Sequence, residues 1–288
     1  MSQVSRYQEH NRDVDYAAGI IGGALAAYLL WQRKKIVENL LAYGVPEMVW
    51  DGVNEIEQAT ALRNRLTPPL EEVVEASVVK EATRIPRVSA KKPVRARESA
   101  TSYYRRIKRS GYQAPESVVK AASGKVSELL GGTHWIETAV APFNKAEIEM
   151  AKAVKEFPSN RRKAVEQVRK KLVDLEPGRV STIAETEANG ALNAGSQIIA
   201  DVRSTLGVAD TKTWLTMLDE RVRQCHVVLH NVTIARNDLF NVCGSLAPHP
   251  GHWELPIAAR IHCRCFLSIG GDESDIPYPL PEDLRIAV

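Results

Sequence analysis

Cys225, His226, His230, Cys243, His249, His252, His262, Cys263 and Cys265 place nine of the chain's eleven thiols and imidazoles within the 41 residues from 225 to 265. Sulfur and imidazole nitrogen are the soft ligands of protein chemistry, so a metal, a reaction or a shared structural task is expected in this stretch. Two spacings have geometric content. Asp219 can cap a short helix through Arg221, Val222 and Arg223, and His226 and His230, four apart on it, would project from one face as a chelating pair. Cys263-Arg264-Cys265 puts two sulfurs on the same side of an extended strand. The expected ligand set is therefore His226, His230, His252, Cys263 and Cys265, and zinc is the metal that such ligands suit. The chain has no C-x-x-C knuckle, so the same residues also read as small buried hydrophobes and hydrogen-bonded imidazoles.

Three pieces of sequence around this cluster resemble the phage minor head protein family, the Mu F-like head morphogenesis proteins. They are Ile183-Ala-Glu-Thr-Glu187 followed by Asn193-Ala-Gly195; Trp214 through Asp219, Arg221 and Arg223 to His226; and the closing Cys263-Arg264-Cys265 after a Pro/Gly-rich loop. The similarity spans about residues 178–270, with Trp214, Asp219, Arg221 and Arg223 as its structural motif. Two positions depart from the family pattern, His230-Asn231 after the motif histidine and His262 before C-R-C. The resemblance implies a structural virion protein of the capsid interior or portal vertex, present in the host cytoplasm during assembly. It implies portal and major capsid or scaffolding proteins as partners, in multiple copies, and it does not by itself imply catalysis.

The elements that must position these residues follow from patterning. A length of 288 residues with 44% hydrophobic content allows one or two packed domains plus extensions. An α+β fold is expected, mostly helical in its N-terminal two-thirds, with a small C-terminal domain of helix and short strands. The boundaries read as 1–83, a helical region; 84–114, a basic arm; 115–176, a second helical region; 177–269, the motif-bearing domain; and 270–288, an extended acidic, proline-bearing tail. Helices are expected from 46 to 65, broken by Thr67-Pro68-Pro69, and from 70 to 83, with Val73, Val74, Val78 and Val79 as an apolar stripe. Further helices are expected over 145–157 and 159–172, with Ser159 as an N-cap, and over 180–205 after a break at Pro177-Gly178. Strands are expected at 213–218, 232–235 and 262–269, with 243–256 an irregular loop. Glu185 and Glu187 read as surface acids or partners of Arg221 or Arg223.

Two segments point to partners. Residues 84–109 hold ten basic side chains against the single acid Glu98, interleaved with Tyr103 and Tyr104. Cations with aromatics suit a phosphate backbone and exposed bases, so Arg95, Arg97, Tyr103, Tyr104, Arg105, Arg106, Lys108 and Arg109 are the expected contacts with phage DNA. Residues 16–31 carry no charge, and Gly19, Gly23 and Ala27 form a small-residue row suited to close helix packing. As a helix this segment spans about 24 Å, short of the ~30 Å hydrocarbon core. A packing helix against another virion protein is expected, with the host membrane after genome release as the alternative. No secretion signal is read at the N-terminus, and four cysteines with one C-x-C pair fit a reduced compartment better than a disulfide framework.

The first functional reading is a non-enzymatic minor head protein acting in head morphogenesis, packaged or ejected with DNA. The alternative is a metal-dependent hydrolase or nuclease, or a toxin-like effector, built on the His/Cys cluster. His226, Cys263 and Cys265 would then be ligands and Glu254 a base, although no compact catalytic signature such as H-E-x-x-H is present.

Overall fold

Apolar residues at helical spacing carry most of this chain into long helices, and among the described residues the strands all follow residue 210. The computed structural model describes residues 3–43, 54–83, 98–205 and 211–270. The fold is α+β as expected, with α1 (Gln3–Tyr43), α2 (Glu55–Thr83), α3 (Ala100–Lys108), α4 (Glu116–Leu129), α5 (His134–Glu156) and α6 (Arg161–Thr205) preceding the small C-terminal domain. That domain contains β1 (Thr211–Leu215), α7 (Gln224–Val227), β2 (Val232–Ala235), β3 (Phe240–Val242), β4 (Ser245–Ala247), α8 (Ile257–Arg260) and β5 (Phe266–Ile269).

The chain forms two compact units, each assembled from separated segments. One gathers Ile21–Leu66 and Thr133–Ile183. Its core packs Ile36 and Leu40 of α1 with Phe143, Ala146 and Met150 of α5 and Val165, Val168 and Leu172 of α6. Gln32, fully buried, donates to the Ala139 carbonyl at 2.7 Å, and Arg33 pairs with Glu176 at 2.7 Å.

The other unit takes Met1–Ile20, Thr67–Gly132 and the chain from Ala184 onward. Here Ala76 and Val79 of α2 pack against Ala100, Tyr103, Tyr104 and Ile107 of α3. Lys80, 2% exposed, sits between Glu9 at 2.7 Å and Asp13 at 2.8 Å, and Asp13 also accepts the Ala100 N–H. One cation compensated by two carboxylates and a backbone donor is the arrangement in which buried charge is tolerated. Helices α2 and α6 approach closely where Ser77 donates to the Leu192 carbonyl at 2.8 Å. A Cβ on Gly195 would collide with the Ser77 side chain, so only glycine permits this crossing.

β1 is the centre of a three-stranded antiparallel sheet in the order β2-β1-β5, with Trp214 opposite Val232 on one side and Leu267 on the other. β3 and β4 form a separate hairpin that closes between Val242 and Ser245. Its two turn residues, Cys243 and Gly244, both have positive φ, 52° and 86°. That backbone matches the right-handed twist of a two-residue hairpin.

Several expectations are corrected. Pro68 and Pro69 do not end a helix, because α2 runs through them; Leu62, Leu66 and Leu70 are buried to within 1% on both sides, and that burial offsets the roughly 3 kcal/mol proline cost. Pro177-Gly178 is likewise interior to the continuous helix α6. The cap of α6 is Asn160, whose Oδ1 accepts the Lys163 N–H at 3.1 Å, rather than Ser159. The first strand is Thr211–Leu215, and the last begins at Phe266, so Cys263 and Cys265 precede it. The stretch 243–256 contains strand β4 in addition to turns. The start of the expected helix at 46 and the tail beyond 270 lie outside the described residues.

The apolar run 16–31 lies within the much longer α1, which by length and composition alone is sufficient to cross a bilayer. Its buried side is Ala17, Ile21, Leu25, Tyr28 and Leu29. Gly19, Gly23 and Ala27 face outward, and a Cβ on either glycine would meet nothing within 4 Å.

Candidate functional site

Trp214 on β1, His226 on α7 and the Cys263–Cys265 segment converge in the core of the C-terminal domain. Trp214 is fully buried, edge-on to His226 with ring centroids 5.8 Å apart and to Phe240 at 5.2 Å. His226 Nδ1 lies 3.7 Å from Cys263 Sγ and 3.5 Å from Cys265 Sγ. These three ligand atoms are buried and all lie within 4.8 Å of one another. The two thiols share a proton unequally: the hydrogen bond from Cys265, aided by the imidazole, holds Cys263 well below the usual thiol range, while the same bond and burial push Cys265 up.

Two arginine straps bring this constellation together. Arg223 donates to the Ile261 carbonyl at 2.5 Å, and Arg264 makes two bonds of 2.6 Å to the Asp219 carboxylate. Asp219 also accepts the Arg221 N–H at 3.2 Å, and Arg264 holds its pKa below the ordinary value. The segment bearing His226 is thus tied to the segment bearing both cysteines at two points. From the other side, Asn189 and Asn193, one turn apart on α6, donate to the Cys265 carbonyl at 3.2 and 3.1 Å. Asn193 Oδ1 accepts the Leu267 N–H at 2.8 Å. His262 reaches its φ of 52° with its N–H on Thr186 Oγ1 and its ring near Glu185.

Other members of the expected ligand set go elsewhere. His226 and His230 do not form a chelating pair, because α7 covers only Gln224–Val227 and the chain turns before His230. His230 Nδ1 instead meets the Thr216 backbone N–H and hydroxyl at 3.2 and 3.1 Å. His252 lies against His249, with Glu128 and Glu254 at 3.9 and 3.8 Å. Burial lowers His252 to about 4 and His249 to about 3, so both imidazoles are neutral.

Sequence reasoning missed three features. Cys225 and Cys243 form a disulfide that ties α7 to the hairpin turn, revising the expectation of four reduced thiols. Glu187 pairs not with Arg221 or Arg223 but with Arg260 at 2.6 Å, both side chains almost wholly buried, and desolvation raises the pKa of its carboxyl. Lys212, 1% exposed, donates to Gln197 and to the Pro248 carbonyl, and burial lowers it to about 8. The sequence signal for inward-facing polar groups on α6 is the four-residue spacing that puts Asn189 and Asn193 on one helix face.

The basic arm is corrected where it is described. Tyr103 and Tyr104 are buried in the α2–α3 core, where no base could stack on them, and Tyr104 donates to Glu75. Arg106 makes a two-bond pair with Glu98 at 2.8 and 2.9 Å, and Arg105 pairs with Glu72. Lys108 and Arg109 keep exposed side chains, and Arg95 and Arg97 lie outside the described residues.

Residues 147–268 match the family model described as Phage Mu protein F like protein. That span contains α6 from its first residue, every residue of the strapped cluster, and strands β1 to β4. No curated protein and no solved structure matches the chain.

Proposed function

We propose that this chain, whose residues 147–268 match the Phage Mu protein F like family model, is a structural protein of the phage head that acts in head morphogenesis at the portal vertex or capsid interior. The observation that carries the reading is the use made of the motif residues. Asp219, Arg223, Asn193 and Arg264 spend their polar groups on one another and on the backbone from Ile261 to Leu267, and Trp214 packs its ring against His226 and Phe240. Such a set fastens helix α6 to a small sheet domain; it does not aim groups at a substrate. Glu254, the base that a hydrolase reading requires, faces His252 instead of the His226 cluster. Portal, major capsid or scaffolding proteins are the partners this role needs, with the protein retained in or ejected from the particle together with DNA.

Nucleic-acid contact, within this proposal, is confined at the C-terminal end of α3 to the outward cations Lys108 and Arg109, since Arg105 and Arg106 already meet carboxylates. The deciding experiment locates the protein in purified virions, DNA-free proheads and genome-released particles by quantitative mass spectrometry, with immunogold labelling at the vertex. A head role predicts a fixed copy number in proheads and virions. Absence from every particle would remove it and leave the effector reading.

A further inference from the structure

The environment of His226 gathers soft ligand atoms in a buried core. Two sulfurs, Cys263 and Cys265, converge on one ring nitrogen at 3.7 and 3.5 Å. The three ligand atoms are buried and all lie within 4.8 Å of one another. The other ring nitrogen, Nε2, has no hydrogen-bond partner among the described residues, so the ring is held by the two sulfurs and the edge of Trp214.

A tetrahedral metal accounts for the convergence. With zinc–sulfur bonds of ~2.3 Å and zinc–nitrogen bonds of ~2.1 Å, the sulfur–nitrogen edge of a tetrahedron is ~3.6 Å. The observed separations of 3.5 and 3.7 Å bracket that edge. The supporting structure is also already rigid: the Asn189 and Asn193 amides hold the Cys265 carbonyl, Arg223 holds the Ile261 carbonyl, and the Cys263 N–H bonds to the Arg260 carbonyl at 2.9 Å. Metal sites need their ligands oriented by such outer contacts. Cys225 and Cys243 also lie near the His226 ring, but as a disulfide they offer no thiolate.

We propose that His226 Nδ1, Cys263 Sγ and Cys265 Sγ bind one soft divalent cation of the zinc class, fastening α7 to the segment that leads into β5. His230 and His252, although histidines of the same stretch, are not ligands. Each bound cysteine gives up its proton to solvent as its metal–sulfur bond forms, so loading is favoured by rising pH. The site stands independently of the virion role, because it requires only the fold.

The test uses the full-length chain, equilibrated with zinc(II) in mild reductant, desalted and measured by elemental analysis. About one zinc per chain is expected, with a chelator lowering the melting temperature and added zinc restoring it. Exchange with cobalt(II) should give sulfur-to-metal charge-transfer absorption. Cys263→Ser, Cys265→Ser and His226→Gln should each lose the metal, and His230→Ala and His252→Ala should keep it. If the serine variants fail to fold, the chelator and re-addition cycle on the unaltered protein still decides the question. Retention of less than a tenth of an equivalent by folded protein, with no chelator effect on melting, would overturn the proposal. So would metal that survives both cysteine substitutions.

Discussion

At the scale of single residues, much of the polar chemistry in the C-terminal domain is internal fastening, and its removal is costly. Asn193 is 1% exposed and satisfies both the Cys265 carbonyl and the Leu267 N–H. Asn193→Ala leaves the Leu267 donor without its acceptor, and a loss of about 2–3 kcal/mol in urea unfolding is expected. A loss under about 0.5 kcal/mol would show that water or a rearranged neighbour replaces the amide. His249 and His252 supply a pH dependence whose sign can be worked out. Burial lowers them to about 3 and about 4, against about 6.5 for a free imidazole. The unfolded chain takes up these protons first, so their stabilisation is present above about pH 6.5 and is withdrawn as the pH falls toward the folded-state values. The urea midpoint should therefore be lower at pH 5 than at pH 7.5, and His249→Gln should flatten the difference. Equal midpoints at both pH values would mean that the imidazoles open to solvent before they charge.

At the scale of elements, the helices show which sequence signals prevailed and which were overridden. The apolar stripe of Val73, Val74, Val78 and Val79 was legible and is buried as a stripe. The prolines that should have cut α2 and α6 did not, because a chain with apolar residues on both sides of a proline can still bury a continuous face. The hairpin was hidden for a different reason: its turn is Cys243-Gly244 rather than Asn-Gly, and a cysteine at positive φ carries no turn signal. Helix α1 was legible as a helix but not in its orientation, since small residues suit either a tight contact or an open face. Its direction gives a test. Leu25 is fully buried, so Leu25→Ala should cost about 2–4 kcal/mol. Gly23 faces open space, so Gly23→Leu should leave the isolated protein as stable as before, or more stable by up to about 1 kcal/mol from helix propensity. Thermal melts of the two variants check this, and a lower melting temperature for the glycine variant would place that face in a contact.

At the scale of the whole molecule, the family-matching span is not a self-contained body. Phe266, which opens β5, is enclosed by Tyr7 and His10 of α1, with ring centroids 5.3 and 4.8 Å away. His10 Nε2 also lies 2.8 Å from Asn189 Oδ1, and Arg6 donates to Ser268 at 2.9 Å. Asn189 therefore joins the N-terminal helix to the Cys265 carbonyl, and pairs such as Arg6 with Ser268 bring residues nearly the full chain length apart together. Such pairings explain why the cluster of His226, Cys263 and Cys265 could be anticipated while its supports could not. The cluster members share a short stretch of sequence, whereas partners such as Glu187 and Arg260, or Tyr7 and Phe266, are brought together only by the completed fold. A fragment of residues 147–270 should consequently lose the cover of Phe266 and the second partner of Asn189. Its melting temperature is expected to fall by about 10 °C or more relative to the full chain, with a broadened transition and rapid amide exchange along β5. Supplying a peptide of residues 1–43 in trans should restore part of that protection, since the contacts to Phe266, Ser268 and Asn189 come from α1. A fragment that melts as sharply and at the same temperature as the intact protein would mean that the C-terminal domain needs only its own residues, and that α1 is an added layer rather than part of its core.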